Sequence, residues 1–219
     1  MGIARLIRAV ESFVYPPRCV CCRAFVRRGV YLCDECEPLF ARHAGPVTPD
    51  GEQPYSFLAA PFRYTKAGRR VLANYKFHGQ HAIIGFLAPA VAATVREYGT
   101  DGIDCVTWVP LSPLRMRERG YSQSHILAKH VAKALGLPCV RTLVKVRHTK
   151  RQSLAKNAGE RRANVADAYR VTGGCRSDQS ILLIDDVWTT GATMRRCSRL
   201  LRDAGAKSVC CAAAFYAGK

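Results

Sequence analysis

The apolar positions of this chain fall into short runs separated by polar or Gly/Pro-rich stretches. Residues 103–109, 139–144, 181–185 and 208–215 read as strands, and 168–171 as a further short one. Two stretches repeat at helical spacing instead. Residues 122–135 carry Ile126, Leu127, His130, Val131 and Leu135 on or near one face, with Gly136 as the stop. Residues 193–204 follow the same rule and are closed by Gly205. A charged segment at 147–163 is expected to be mobile, and the Pro/Gly-rich 44–54 to be a linker. The pattern divides the chain into a small module over 1–48 and a larger α/β domain over 55–219. Strands alternating with helices imply parallel β-α-β units flanked by helices. Such sheets bind ligands beyond the carboxyl ends of their strands.

No apolar run reaches the length of a membrane helix; 85–95 comes nearest, and it is too short and contains Pro89. Ile3, Leu6, Ile7 and Val10 share one helical face, so the N-terminus reads as an amphipathic docking helix rather than a signal peptide. A cytoplasmic protein is expected.

Charge changes the picture. The formal net charge is +18, and it is unevenly spread. No acidic residue occurs between Gln53 and Arg96, a stretch that holds Arg63, Lys66, Arg69, Arg70 and Lys76. Across 141–176, ten Lys and Arg face only Glu160 and Asp167. Such patches suit polyphosphates, nucleic acid or an anionic membrane surface, with polyphosphate or nucleic acid favoured over a merely solvated surface. Tyr64, Tyr75 and Phe77 lie among the cations as candidate stacking platforms, with Tyr75 and Phe77 equally readable as core.

Five of the eleven cysteines crowd into 19–36. Cys19 and Cys22 are spaced C-x-x-C, as are Cys33 and Cys36, with ten residues between the pairs. Two such tight turns aim four thiolates at one point, the arrangement of a zinc ribbon. Four cysteine ligands leave no open position for water, so the Zn²⁺ is expected to be structural. Cys21 is left over, either a spectator or a competitor of Cys22. The remaining six read as buried small hydrophobes.

The stretch ILLIDDVWTTGAT (181–193) carries the main chemical signal. An apolar strand runs into Asp185 and Asp186, and a Thr/Gly loop then leads into a helix. The N-terminus of that helix offers N–H groups and the positive end of a dipole, which suit a phosphate. Gly191 allows close approach, and Thr189, Thr190 and Thr193 add hydroxyl donors. The carboxylates would repel a phosphate, so they fit the two donors of a vicinal diol. A ribose 5-phosphate meets both demands. The competing reading is a pair of capping aspartates before an ordinary loop.

These residues resemble the PRPP-binding motif of type I phosphoribosyltransferases. The double C-x-x-C opening, YKFHGQ (75–80), VPLSPLRMRERGYSQS (109–124), RQSLAKNAGERRANVADAY (151–169) and the acidic motif together resemble the ComF family, in the family's order. The resemblance implies a type I phosphoribosyltransferase-like parallel sheet preceded by a zinc-ribbon module. It implies PRPP contacts from Val187, Thr189, Thr190, Gly191, Ala192 and Thr193. Leu111, Ser112 and Arg119 would serve the pyrophosphate, and Mg²⁺ would accompany PRPP. Arg147, Lys150, Arg151 and Arg161 would lie on a flexible catalytic loop. Asp185 and Asp186 would be catalytic if the chain transfers ribose 5-phosphate. The family points to DNA uptake in natural transformation, with single-stranded DNA and competence-machinery proteins as partners. A working transferase with an unidentified acceptor and a non-catalytic PRPP sensor are the alternatives.

Overall fold

The computed structural model describes residues 16–42, 47, 52–78, 81–99, 102–146, 168–174 and 177–218. The expected docking helix carrying Ile3, Leu6, Ile7 and Val10, the charged segment 147–163 with its basic residues, and Cys175 lie outside the described residues. So does the Phe77 side chain.

One parallel sheet organises the fold, in the order β1-β7-β6-β3. Its centre is β6 (Ser180–Trp188) against β7 (Ser208–Tyr216), with β3 (Cys105–Trp108) on the far side of β6. On the other edge, β1 (Leu58–Ala59) and β2 (Phe62–Arg63) both pair with β7. Leu58 faces Cys211 and Phe62 faces Phe215, one continuous register interrupted at Ala60 and Pro61. Proline has no N–H to donate and is tolerated on an edge strand.

The period of two decides which face each strand residue serves. Leu182 and Ile184 of β6, with Cys210, Ala212 and Ala214 of β7, belong to one apolar cluster. Ile181, Leu183, Cys211 and Ala213 belong to the other. The first cluster is covered by α1 (Lys66–His78), α2 (His81–Glu97) and α4 (Gln123–Leu135). The second is covered by α5 (Ala192–Asp203), through Met194, Cys197 and Leu201. This is a helix–sheet–helix sandwich. A short α3 (Pro113–Arg119), with no buried residue, follows β3. No helix among the described residues is long and apolar enough to cross a membrane.

Several elements differ from their sequence-based expectation. The strand expected at 139–144 is split. Cys139 makes one parallel bridge to Val106, and the chain then forms β4 (Leu143–Lys145). β4 pairs antiparallel with β5 (Tyr169–Val171) in a separate two-stranded ribbon, not in a parallel unit. The hydroxyls of Thr107 and Thr142, 2.7 Å apart, mark where the chain leaves β3. β6 does not stop at Asp185. Val187 and Trp188 continue it opposite Phe215 and Tyr216, because Trp188 stacks on Tyr216 with ring centroids 4.9 Å apart. Tyr75 is core rather than a stacking platform: it is 2% exposed and donates its hydroxyl to the Gln123 carbonyl at 3.1 Å.

The cysteine module packs on the same core. Val20, Cys21, Leu32 and Phe40 join the first apolar cluster. Phe40 meets Phe62 and Phe86 edge-on at 5.8 and 5.4 Å. Asn74 of α1 donates to the carbonyls of Val20 and Cys21, at 3.1 and 3.3 Å. These contacts tie the first C-x-x-C turn to the sheet-covering layer.

Candidate functional site

The acidic pair lies in the second half of β6, at the carboxyl edge of the sheet. Asp185 is held from two sides: the Ser124 hydroxyl donates to Oδ1 at 2.8 Å, and the Asp186 N–H donates to the same oxygen at 2.9 Å. Ser124 is the second residue of α4, whose start is fixed by Ser122: its hydroxyl accepts from the His125 N–H. One α4 residue therefore fixes the carboxylate of a neighbouring strand. The charge of Asp186 acts on Tyr75, whose hydroxyl is held above its usual range by burial first, then by Tyr121 and Asp186.

The chain turns from Trp188 into α5 through Thr189, Thr190 and Gly191. Gly191 is the N-cap at φ 71°, and no side chain caps this helix. Its first-turn N–H groups are thus not claimed by a capping hydroxyl or carboxylate, unlike those of α3 and α4. Asp185, Val187, Trp188, Thr189, Thr190, Gly191, Ala192, Thr193 and Met194 line a pocket of about 50 Å³. Thr189 and Thr190 are exposed, while Thr193 is half-buried. Arg195 pins the loop from below: it donates to the Thr190 carbonyl and, at 3.4 Å, to Gln53 Oε1.

Gly191 has a reason beyond its positive φ. A Cβ there would fall 2.5 Å from Cζ2 of Trp188, a residue that itself lines the pocket. Gly191→Val must therefore displace the indole and hold a β-branched residue in left-handed backbone. Strain of this kind costs about 1–3 kcal/mol. The expected result is a melting temperature lower by roughly 2–12 °C, read by thermal unfolding, since about 1 kcal/mol moves a chain of this size by 2–4 °C.

The residues expected to serve a pyrophosphate lie at the exit of β3. The Val109 N–H donates to the Ile184 carbonyl at 2.9 Å, so this exit leaves the sheet beside Asp185. Ser112 is buried and caps α3, accepting from the Arg115 N–H at 3.4 Å. Leu111, Ser112, Arg119 and Asp186 are not among the residues that line the pocket around Gly191. Arg119 Nη1 instead donates to Gln123 Oε1 at 3.2 Å.

Sequence reasoning did not single out Ser124, Arg195 or Lys145. Lys145 closes β4 with its ammonium 4.9 Å from the Tyr169 ring centre. Its pKa is lowered by burial first and then by Arg115, while Asp185 pulls it back up. A half-buried cation thus stands within electrostatic reach of the acidic pair. The strand expected to end at residue 144 hid it.

The second candidate site is the cysteine cluster. The sulfurs of Cys19, Cys22, Cys33 and Cys36 all lie within 4.8 Å of one another, and Cys22 and Cys33 are 3.6 Å apart. Tetrahedral Zn–S bonds of about 2.3 Å require sulfurs about 3.8 Å apart, so the donor set fits the ion. Burial disfavours the Cys19 thiolate, but backbone hydrogen bonds from Cys22, Cys33 and Cys21 outweigh it and bring Cys19 down to about 6. Burial pushes the Cys36 thiol up. Among the other cysteines, Cys105, Cys197, Cys210 and Cys211 are buried in the core.

Comparison with known proteins gives these geometries a context. Residues 122–219 match the phosphoribosyl transferase domain family. Competence protein ComFC of Streptococcus pneumoniae is 32% identical over 150 residues, which cover 68% of this chain and 64% of that protein. DNA utilization protein YhgH of Salmonella typhimurium is 30% identical over 220 residues, covering 95% of this chain and 94% of its own. The chain spans 64%, 63% and 57% of the length of the competence proteins it matches in Streptococcus pneumoniae, Haemophilus influenzae and Bacillus subtilis. Among solved structures, the glutamine PRPP amidotransferase of B. subtilis, complexed with ADP and GMP, is similar at 25% identity with a TM-score of 0.39. That match covers 58% of this chain and 25% of that one.

Proposed function

The chain belongs to the ComF family, with a type I phosphoribosyltransferase-like fold and a four-cysteine cluster consistent with a zinc ribbon, and we propose that it binds PRPP and handles single-stranded DNA in the cytoplasm during natural transformation. The observation that carries the PRPP reading is a juxtaposition. A helix without a side-chain cap begins at Gly191, and one end of the same pocket is the carboxylate of Asp185, itself fixed by Ser124. The uncapped turn and the hydroxyls of Thr189, Thr190 and Thr193 suit a 5-phosphate, and Asp185 and Asp186 suit the ribose diol. The exit of β3 at Leu111 and Ser112 suits the pyrophosphate, and Lys145, within electrostatic reach of Asp185, adds a cation to the site.

Mg²⁺ bound with PRPP would neutralise pyrophosphate charge, with Asp185 and Asp186 as carboxylate donors near the site. The fixed orientation of Asp185 favours a second reading, an active transferase. A carboxylate held in place before reaction can stabilise the positive charge that develops at the sugar C1. Incubation with PRPP, Mg²⁺ and a panel of acceptors, with pyrophosphate release as the readout, separates transfer from binding alone.

The DNA reading rests on the family relatives and on charge. A ribbon module over 1–48 and a transferase-like domain over 55–219 would both present cations. In the acid-free stretch, Arg63, Lys66, Arg69, Arg70 and Arg96 are exposed. Tyr64 is half-buried beneath the Arg69 guanidinium, 5.8 Å from its ring centre. If about five phosphates are neutralised, a slope of roughly −0.7 per contact gives about a hundredfold loss of affinity between 50 and 200 mM salt. Fluorescence anisotropy with a labelled oligonucleotide reads this directly. Charge reversal at Arg69 and Arg70 should lower both affinity and slope and leave PRPP binding unchanged. Absence of binding at 50 mM salt would remove DNA handling, and full displacement by PRPP with Mg²⁺ would place the DNA in the PRPP pocket instead. Competence-machinery proteins are the partners this role would require.

A further inference from the structure

We propose that Gln123 is a PRPP-contacting residue: its side-chain amide, oriented by Arg119, donates to an oxygen of bound PRPP. The inference rests on the PRPP reading above and adds a residue to it. Gln123 is the first residue of α4 and is 2% exposed. Its Oε1 accepts from Arg119 Nη1 at 3.2 Å. Arginine has no acceptor, so this contact dictates which end of the amide is oxygen and leaves Nε2 on the other side. The backbone carbonyl of the same residue is fixed by the Tyr75 hydroxyl at 3.1 Å. The Tyr121 hydroxyl in turn donates to the Tyr75 carbonyl. Both carbonyl oxygens of Gln123 are therefore held in place, whereas Nε2 is buried and has no hydrogen-bond partner among the described residues.

A buried donor left unpaired carries its full desolvation penalty, and buried polar groups are otherwise almost always satisfied. The penalty is local to the acidic pair. The next residue, Ser124, binds Asp185 Oδ1 at 2.8 Å, so Nε2 belongs to the same helix turn that positions the carboxylate. That turn is the N-terminus of a 13-residue helix, whose dipole favours negative charge. An oxygen of PRPP is the group that this helix end and the unpaired donor would both favour. Arg119, expected from sequence to meet the pyrophosphate itself, uses one of its five N–H donors to orient the amide.

The test is calorimetric titration of PRPP with Mg²⁺ into wild type, Gln123→Leu and Gln123→Glu. Gln123→Glu keeps an acceptor for Arg119 and strengthens that pair, but it replaces the donor with an oxygen. Gln123→Leu removes a donor that has no partner among the described residues, together with the acceptor of the half-exposed Arg119, so it should melt only slightly below wild type. Affinity for PRPP should fall about tenfold or more in both. Wild-type affinity in Gln123→Leu would overturn the proposal, provided that the variant carrying Asp185→Asn and Asp186→Asn together does lose binding. If that variant also binds normally, the PRPP site itself is wrong. A measurement independent of folding by the Leu variant is the ¹⁵N side-chain amide resonance that disappears in Gln123→Glu. PRPP should shift it in wild type, and no shift would overturn the contact.

Discussion

Replacing Asp185 and Asp186 together by Asn should weaken PRPP binding at least tenfold, and by a hundredfold if both contacts are lost. The argument begins with what the substitution spares. After Asp185→Asn the side-chain carbonyl oxygen still accepts from the Ser124 hydroxyl and from the N–H of residue 186, so the local frame is kept. β6 remains paired with β7 through its backbone. What disappears is the charge, together with one acceptor on each side chain that becomes a donor. A diol hydroxyl facing an NH₂ loses its bond and meets another donor. Loss of a hydrogen bond to a charged group costs about 1.5–3 kcal/mol, and each 1.4 kcal/mol is tenfold in affinity. Unchanged PRPP binding by calorimetry would refute the assignment of the acidic pair. Ser124→Ala makes a graded control. It frees the Asp185 carboxylate without removing it, so its effect should be smaller and should vanish in the background of the double substitution.

How much of this was legible from sequence depends on which force placed each residue. The run at 181–185 and the alternating helix at 122–135 are governed by burial, and burial leaves a period that can be read. The region 66–97 was read for its charge, its aromatic residues and one apolar run, without a helix being assigned, yet it forms α1 and α2. α1 has no acidic residue in its first turn, and α2 is apolar around much of its circumference, with Pro89 inside it. Pro89 removes the bond to residue 85, and Gly85 is where Tyr31 of the cysteine module packs: a Cβ there would lie 2.4 Å from the tyrosine hydroxyl. Tertiary packing, not propensity, holds that helix. In the candidate site the Thr/Gly loop and the aspartates were visible because their chemistry is local. Ser124, Lys145 and Arg195 were not, since each acts on a residue far along the chain or on a strand that ran longer than its pattern. Gly191 was selected for the right flexibility, but its neighbour is an indole, which only the fold could reveal.

Removal of the ribbon metal should disturb far more than the ribbon. One Zn²⁺ per chain is expected by elemental analysis of protein purified without chelator. Cys33→Ser should lower the melting temperature sharply or leave the protein insoluble. Metal binding in small zinc modules amounts to about 10–16 kcal/mol, comparable to the whole stability of an ordinary domain. Among the described residues, 16–42 has one short helical turn, Glu37–Phe40, and a few backbone bonds such as Val20 N–H to the Tyr31 carbonyl at 2.9 Å, so the metal is expected to supply much of what holds its two C-x-x-C turns together. Without a cation, four sulfurs within 4.8 Å of one another can lose their protons only against mutual repulsion. The consequence reaches the larger domain because the module covers part of its core. Loosening the turns releases Val20 and Cys21 from Asn74, and Phe40 from Phe62 and Phe86. Phe62 belongs to the edge strand paired with β7, so the apolar surface exposed would include a sheet edge. Such surfaces invite association, and insolubility of the variant follows from the same contacts. Chelation of the wild-type chain should reproduce the loss, and added Zn²⁺ should reverse it. Natively purified protein that contains no zinc, yet melts as a single cooperative unit, would show that packing alone holds the cluster and would overturn the structural-metal reading.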